Sequence, residues 1–206
     1  MSKTFKIDKD PCDLGYNIYE KSSITLNPGV TILVGCNGSG KTTLIKMIKE
    51  QLRKDNIEYV SFDNLTEGGS NAKSERVFHG DLQTLASLVC SSEGEAIITN
   101  IGTCARKIGN FVRNHRDLNE YWFFFDAIDS GTSIDNIIDI KKYLFDTILE
   151  DTKGKDTYII VSANSYEMAS GELCLDVISC SNKTFRSYNE YKDFILETKE
   201  KKNNRG

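Results

Sequence analysis

Residues 32–48, ILVGCNGSGKTTLIKMI, constrain the fold of this chain more than any other stretch. Apolar and β-branched side chains over 30–34 read as a strand buried on both faces. Leu44, Ile45, Ile48 and Leu52 then recur at helical spacing. Between them Gly35, Gly40, Lys41 and Thr42 satisfy G-x-x-x-x-G-K-[ST]. Each residue type has a task there. Glycines let the backbone wrap phosphate oxygens with no Cβ in the way. Successive N–H groups turn inward as an anion nest, and the following helix offers its own free N–H groups to the same charge. Lys41 is expected to reach the β- and γ-phosphates, and the Thr42 hydroxyl to ligate Mg²⁺. A glycine-rich turn without ligand is the competing reading; the strand before it and the amphipathic helix after it favour the phosphate loop.

The remaining pattern predicts an α/β chain. Residues 4–7 and 22–26 read as strands, with an NPG turn at 27–29. Strands are also expected over 58–62, 121–126 and 157–161, and short ones around 173–178. Helices are expected over 82–89, then after 91–95 with Ile101, Ala105, Ile108 and Val112 in phase. Another covers 133–149, with Ile134, Ile137, Ile138, Leu144 and Ile148 inward, and a last one opens at Ser187 with a Ser187–Glu190 capping box. Residues 63–75 read as a loop. Apolar strands alternating with amphipathic helices specify a mostly parallel sheet flanked by helices, with an antiparallel N-terminal part. The chain is read as one domain over 1–198 and a flexible tail over 199–206.

Composition narrows the partners. A net charge of −4 gives no global basic footprint for nucleic acid. A local basic stretch, Arg106, Lys107 and residues 113–117, reads as a solvated helix end, and a nucleic-acid partner stays open. No apolar run approaches a membrane span and the first residues do not form a signal peptide, so a cytoplasmic protein without a membrane partner is expected. The six cysteines form no C-x-x-C pair and read as reduced thiols. His79 and His115 lack metal-spaced partners and read as surface residues.

The apolar strand YWFFFD ends in Asp126, a position suited to holding the Mg²⁺ shell beside the phosphate loop. With VGCNGSGKTTL at 34–44, its Asn37-Gly38-Ser39-Gly40 core and the doubled Thr42-Thr43, the sequence resembles the ATP-binding-cassette superfamily. The resemblance implies ATP and Mg²⁺ as ligands, and it implies a serine-glycine signature that binds the γ-phosphate held by a partner subunit. SSEGE supplies Ser92, Gly94 and Glu95 for it, although Ser92 and Glu95 also make an ordinary capping box. Ser133 and Asp135 match the family loop that crosses the dimer; Ser133 also suits a helix cap. Tyr16 and Tyr19 lie where the family stacks an aromatic on adenine, with plain packing as the alternative.

Two family residues are missing. Ala127 occupies the place of the Glu that acts as general base on the attacking water. Ala163 or Asn164 replaces the switch His; Asn164 can hydrogen-bond a γ-phosphate but cannot exchange protons near neutral pH. The glutamine-loop residue has only positional candidates, Asp63 and Asn64. Lys41 and Ser92 lie 51 positions apart. The chain therefore looks like a cassette with a truncated helical subdomain, closer to DNA-repair and chromosome-maintenance heads and to small bacterial or phage ATP-binding proteins than to transporters. The resemblance implies an ATP-dependent head-to-tail homodimer with slow hydrolysis. The alternatives are a competent ATPase in which Asp129 replaces the missing Glu, and a P-loop small-molecule kinase.

Overall fold

The computed structural model describes residues 1–64 and 93–204, with backbone alone over 93–100. Strands β1 (Lys3–Lys6) and β2 (Ser23–Leu26) form a separate antiparallel pair. Next come β3 (Gly29–Val34), α1 (Lys41–Lys54), β4 (Val60–Asp63), α2 (Glu93–Asn114) and β5 (Glu120–Asp126). One helical run then joins α3 (Ile134–Asp139), a π-helical turn at Ile140–Phe145 and α4 (Asp146–Asp151). The rest is β6 (Asp156–Ser162), the short α5 (Tyr166–Ala169), β7 (Leu173–Asp176), β8 (Ser181–Lys183) and α6 (Tyr188–Asn203). The larger sheet has the order β4-β5-β6-β3-β7-β8 and is parallel except for the β7–β8 pair.

Strand residues alternate between two buried faces, as the unbroken apolar runs require. Ile32, Val34, Phe123, Phe125, Ile159 and Val161 pack on one face, beneath residues of α2, α3, α4 and α6. Leu33, Trp122, Phe124, Tyr158 and Ile160 pack on the other, beneath α1 and the β1–β2 pair. Trp122 and Tyr158 are register partners, and their rings stack with centroids 3.9 Å apart.

Two expectations are corrected. In the 133–149 helix Ile137, Leu144 and Ile148 are buried, together with Ile140 and Phe145, but Ile134 and Ile138 are 59% and 54% exposed. Ile137, Ile140, Leu144 and Ile148 form one stripe at helical spacing; Ile138 lies about 100° round the helix from it, and Ile134 stands in the opening turn. At the C-terminus, α6 continues to Asn203, past residue 199 where a tail was expected. Contacts of Thr198 and Lys202 hold its last turns against the body of the protein. The expected helix over 82–89 and most of the 63–75 loop lie outside the described residues.

Candidate functional site

The loop after β3 is tight because two of its positions admit no side chain. A Cβ on Gly35 would stand 2.7 Å from Ser39 Oγ, and one on Gly40 would stand 2.7 Å from the Tyr19 hydroxyl. Gly40, with φ 99°, is the N-cap of α1, and no side chain caps that helix or places an acid in its first turn. Helix α6, by contrast, opens under Ser187 Oγ, which accepts from Glu190 N, while Glu190 Oε2 accepts from Arg186 N. The leading N–H groups of α1 and its positive dipole end are thus left for an anion. Lys41 is 8% exposed, and its ammonium donates to Gly35 O at 2.8 Å and to Cys36 O at 3.4 Å. Burial holds its pKa below the ordinary lysine value, partly offset by the nearby Cys36, Asp129 and Asp126. The fully buried Tyr19 donates to Gly40 O at 2.7 Å, so it braces the loop from behind.

Parallel register delivers the rest of the site. β5 pairs Asp126 with Asp63, β6 sets Val161 beside Phe125, and β3 sets Leu33 beside Ser162, so these strands end together beside the loop. Thr42 Oγ1 donates to Asp126 Oδ1 at 3.2 Å. Ser162 Oγ donates to the same oxygen and accepts from Ala127 N at 2.9 Å. A hydroxyl and a carboxylate side by side are hard oxygen donors, a set that fits Mg²⁺ completed by phosphate and water. Among the described residues no cluster of three or more His, Cys, Asp or Glu could hold a metal by itself.

A cleft of about 570 Å³ opens in front of this arrangement. Of the residues expected from sequence, Asn37, Gly38, Ser39, Gly40, Lys41, Thr42, Thr43, Asp126 and Asn164 stand on its wall together, as does Ala127. Gly35 stands behind the loop, holding Lys41. Cys12, Leu14, Ile18, Ser130 and Ser162 join the wall without having been anticipated. Tyr16 is absent from it and is 37% exposed. The apolar surface from the N-terminal segment comes instead from Leu14 and Ile18.

Asp129 does not turn into the cleft. Ala127 adopts φ 53°, and Ser130 N closes a turn onto Ala127 O at 3.0 Å. That turn swings the Asp129 carboxylate toward the loop after β6, where Oδ2 accepts from Asn164 N and Ser165 N at 2.7 Å each. Its Oδ1 is buried and has no partner among the described residues. Asn64 Nδ2 donates to Ala127 O at 3.0 Å and Ser130 O at 2.8 Å, bracing the same turn. Ser133 opens α3 without a side-chain cap to the backbone. Its hydroxyl serves Asp135, whose pKa it lowers. Helix α2 is described from Glu93 onward, so the backbone of Gly94 and Glu95 is helical; Ser92 and the side chains of 93–100 lie outside the described residues. His115 is half-buried rather than fully at the surface, its Nε2 3.1 Å from Glu58 Oε2.

A family model described as ABC transporter matches residues 19–173. A search of curated proteins finds no match. Among solved structures the chain is similar to one described as the ADP conformation of MJ1267, an ATP-binding cassette of an ABC transporter. The two share 16% identity over 97% of this chain and 98% of that one, with a TM-score of 0.52. At that identity the likeness is one of fold.

Proposed function

The chain belongs to the ABC transporter family, and we propose that it is an ATP- and Mg²⁺-binding switch that pairs head to tail with a second copy and hydrolyses ATP slowly. The observation that carries this reading is the contrast at the end of β5. Thr42 and Asp126 are in contact and suited to Mg²⁺, which when bound would neutralise charge on the β- and γ-phosphates. The next residue, Ala127, brings only a methyl group to the cleft wall. A water in front of the γ-phosphate therefore meets no carboxylate from that position. Lys41 and the loop amides supply the phosphate charge and hydrogen bonds, and Leu14 and Ile18 supply apolar surface for the base.

The partner-facing role falls to Ser92, Gly94 and Glu95 on the family resemblance of SSEGE, a serine-glycine signature read as leading into a helix whose N-terminus would favour an anion. Support for pairing comes from the α3 edge, where Ser133 and Asp135 are exposed on either side of an Ile134 that is 59% exposed. An exposed large aliphatic beside two polar residues suits a surface that a second chain covers. The short interval from Lys41 to Ser92 aligns the protein with pared-down heads of the DNA-repair and chromosome-maintenance kind, in the cytoplasm. Among the described residues no helix is long and apolar enough to cross a membrane.

Sedimentation in Mg-ATP, in ATP with chelator and in buffer alone tests the switch. The expected result is a dimer in Mg-ATP only, abolished by Ser92→Arg while monomer ATP affinity is retained. A Ser92→Arg protein that still dimerises would reduce SSEGE to a helix cap. A second reading is a competent ATPase that uses Asp129, whose charge acts on the Lys41 ammonium and whose carboxylate would have to leave the Asn164 and Ser165 amides to reach the cleft. Brisk turnover by the unmodified protein, without any added acceptor, would select it.

A further inference from the structure

Helix α6 reaches the phosphate loop from behind at two backbone positions, and no family motif covers that helix. Thr198 Oγ1 accepts from Cys36 N at 3.1 Å, and Lys202 Nζ donates to Asn37 O at 3.0 Å. We propose that Thr198 and Lys202 are positioning residues, which set the alternating orientation of the loop's peptide groups and so the affinity of the cleft for polyphosphate. The inference rests on the nucleotide-binding reading above.

In a planar trans peptide C=O and N–H point in opposite directions, and no described residue has a cis peptide bond. Thr198 draws the Cys36 N–H outward, so the carbonyl of the same peptide unit, Gly35 O, must face inward. There it receives the Lys41 ammonium at 2.8 Å. Lys202 draws the Asn37 carbonyl outward, so the N–H of that unit, on Gly38, must point the other way. Gly38 stands on the cleft wall with φ 74°, and the Lys202 ammonium lies 3.4 Å from where its Cβ would be. One contact thus fixes the carbonyl that holds the loop cation, and the other fixes an N–H for the anion. A cation on the Asn37 carbonyl also polarises the peptide and strengthens its N–H as a donor.

The Thr198 hydroxyl is committed to this duty. It donates its own proton to Ile195 O at 2.9 Å, which leaves a lone pair for Cys36 N. Thr198 is 1% exposed, so water does not substitute for it. Lys202 is half-buried at the last turn of α6, where a cation is also favoured by the helix dipole.

The test compares Thr198→Val and Lys202→Met with Thr198→Ser and Lys202→Arg. Dissociation constants are measured for Mg-ATP and for inorganic tripolyphosphate, which reads the loop without the base, together with thermal unfolding of the ligand-free proteins. The Val and Met variants should each bind both ligands about twofold to tenfold more weakly, the span of a single lost hydrogen bond. The Ser and Arg variants should restore binding. A role in helix docking only would lower the unfolding temperature and leave the dissociation constants of the folded variants at the parental value, and that result overturns the proposal. Should Thr198→Val not fold, Lys202→Met, at the end of the helix, decides. A parent that binds neither ligand overturns the nucleotide reading and this inference with it; a parent that binds both, with variants that bind equally well, overturns only this inference.

Discussion

Lys41 holds its charge inside the protein before any ligand arrives, and it does so on two backbone carbonyls rather than on a carboxylate. Neutral carbonyls compensate a buried ammonium only in part, which is why burial depresses its pKa. Bound polyphosphate supplies the missing negative charge and raises that pKa again. The sign follows. Below the depressed pKa the fold carries the cost of a buried cation, and that cost fades as pH rises toward the ordinary value of 10.5. Mg-ATP affinity should therefore fall across the alkaline range as Lys41 loses its proton, and binding there should take up protons. Calorimetry in two buffers of different ionisation enthalpy measures the uptake; Lys41→Ala should remove both the uptake and most of the affinity while the fold persists. Ala127 supports a second prediction. Its φ of 53° already carries a Cβ and its side chain lies on the cleft wall, so a longer side chain can start from the same backbone. Ala127→Glu should raise ATP turnover at least about tenfold, a conservative part of what a positioned general base contributes. Asp129→Asn should change turnover little, because an amide oxygen can still accept from Asn164 N and Ser165 N. Phosphate release under saturating Mg-ATP separates these outcomes. The opposite pattern, with Asp129→Asn abolishing a fast parental rate, would move the base role to Asp129.

At the scale of elements, β5 and β6 carry both the core and the site. Glu120–Asp126 has buried side chains on both faces, which is why its sequence is an apolar run without alternation. The same register that stacks Trp122 on Tyr158 brings Phe125 beside Val161 and so holds Asp126 next to Ser162. Trp122→Ala should cost about 3–5 kcal/mol, as deletion of a fully buried aromatic does, read as a lowered denaturant midpoint. Its Nε1 is buried without a partner among the described residues, so Trp122→Phe should cost distinctly less. Elements were legible where the pattern was strong. The strands at 30–34, 121–126 and 157–161 stand where the apolar runs put them, each within one or two residues of its observed ends. The helix over 133–149 was legible as a helix but not in phase. Its stripe passes Ile137 and leaves Ile138 in solvent, and an i, i+3, i+4 count accepts both.

The whole molecule decides who meets at the cleft. Cys12 comes from the segment between β1 and β2, yet it stands on the wall with Thr42 and Asp126 and is exposed. Mg-ATP should slow its alkylation, followed by peptide mapping, whereas Lys41→Ala should lose that protection. Cys174 is the internal control. Burial pushes its thiol up to about 12, so it should stay unlabelled at neutral pH until the protein unfolds. The sequence by itself determined the phosphate loop, because every requirement there is local: glycines where no Cβ fits, then the lysine, then a helix start, all within a few residues. It also determined the layered sheet, since unbroken apolar runs mark strands buried on both faces and a 3.6-residue period marks the helices that cover them. Only the tertiary structure decided that Tyr19 rather than Tyr16 serves the loop, that Asp129 faces the Asn164 and Ser165 amides, and that Ser162 shares the Asp126 carboxylate. It alone brought Thr198 to Cys36, across 162 positions of chain. A hydrogen bond of that span imposes no spacing on its neighbours, so it leaves no periodic trace to read; it exists only once strand register and helix packing have fixed where both ends stand.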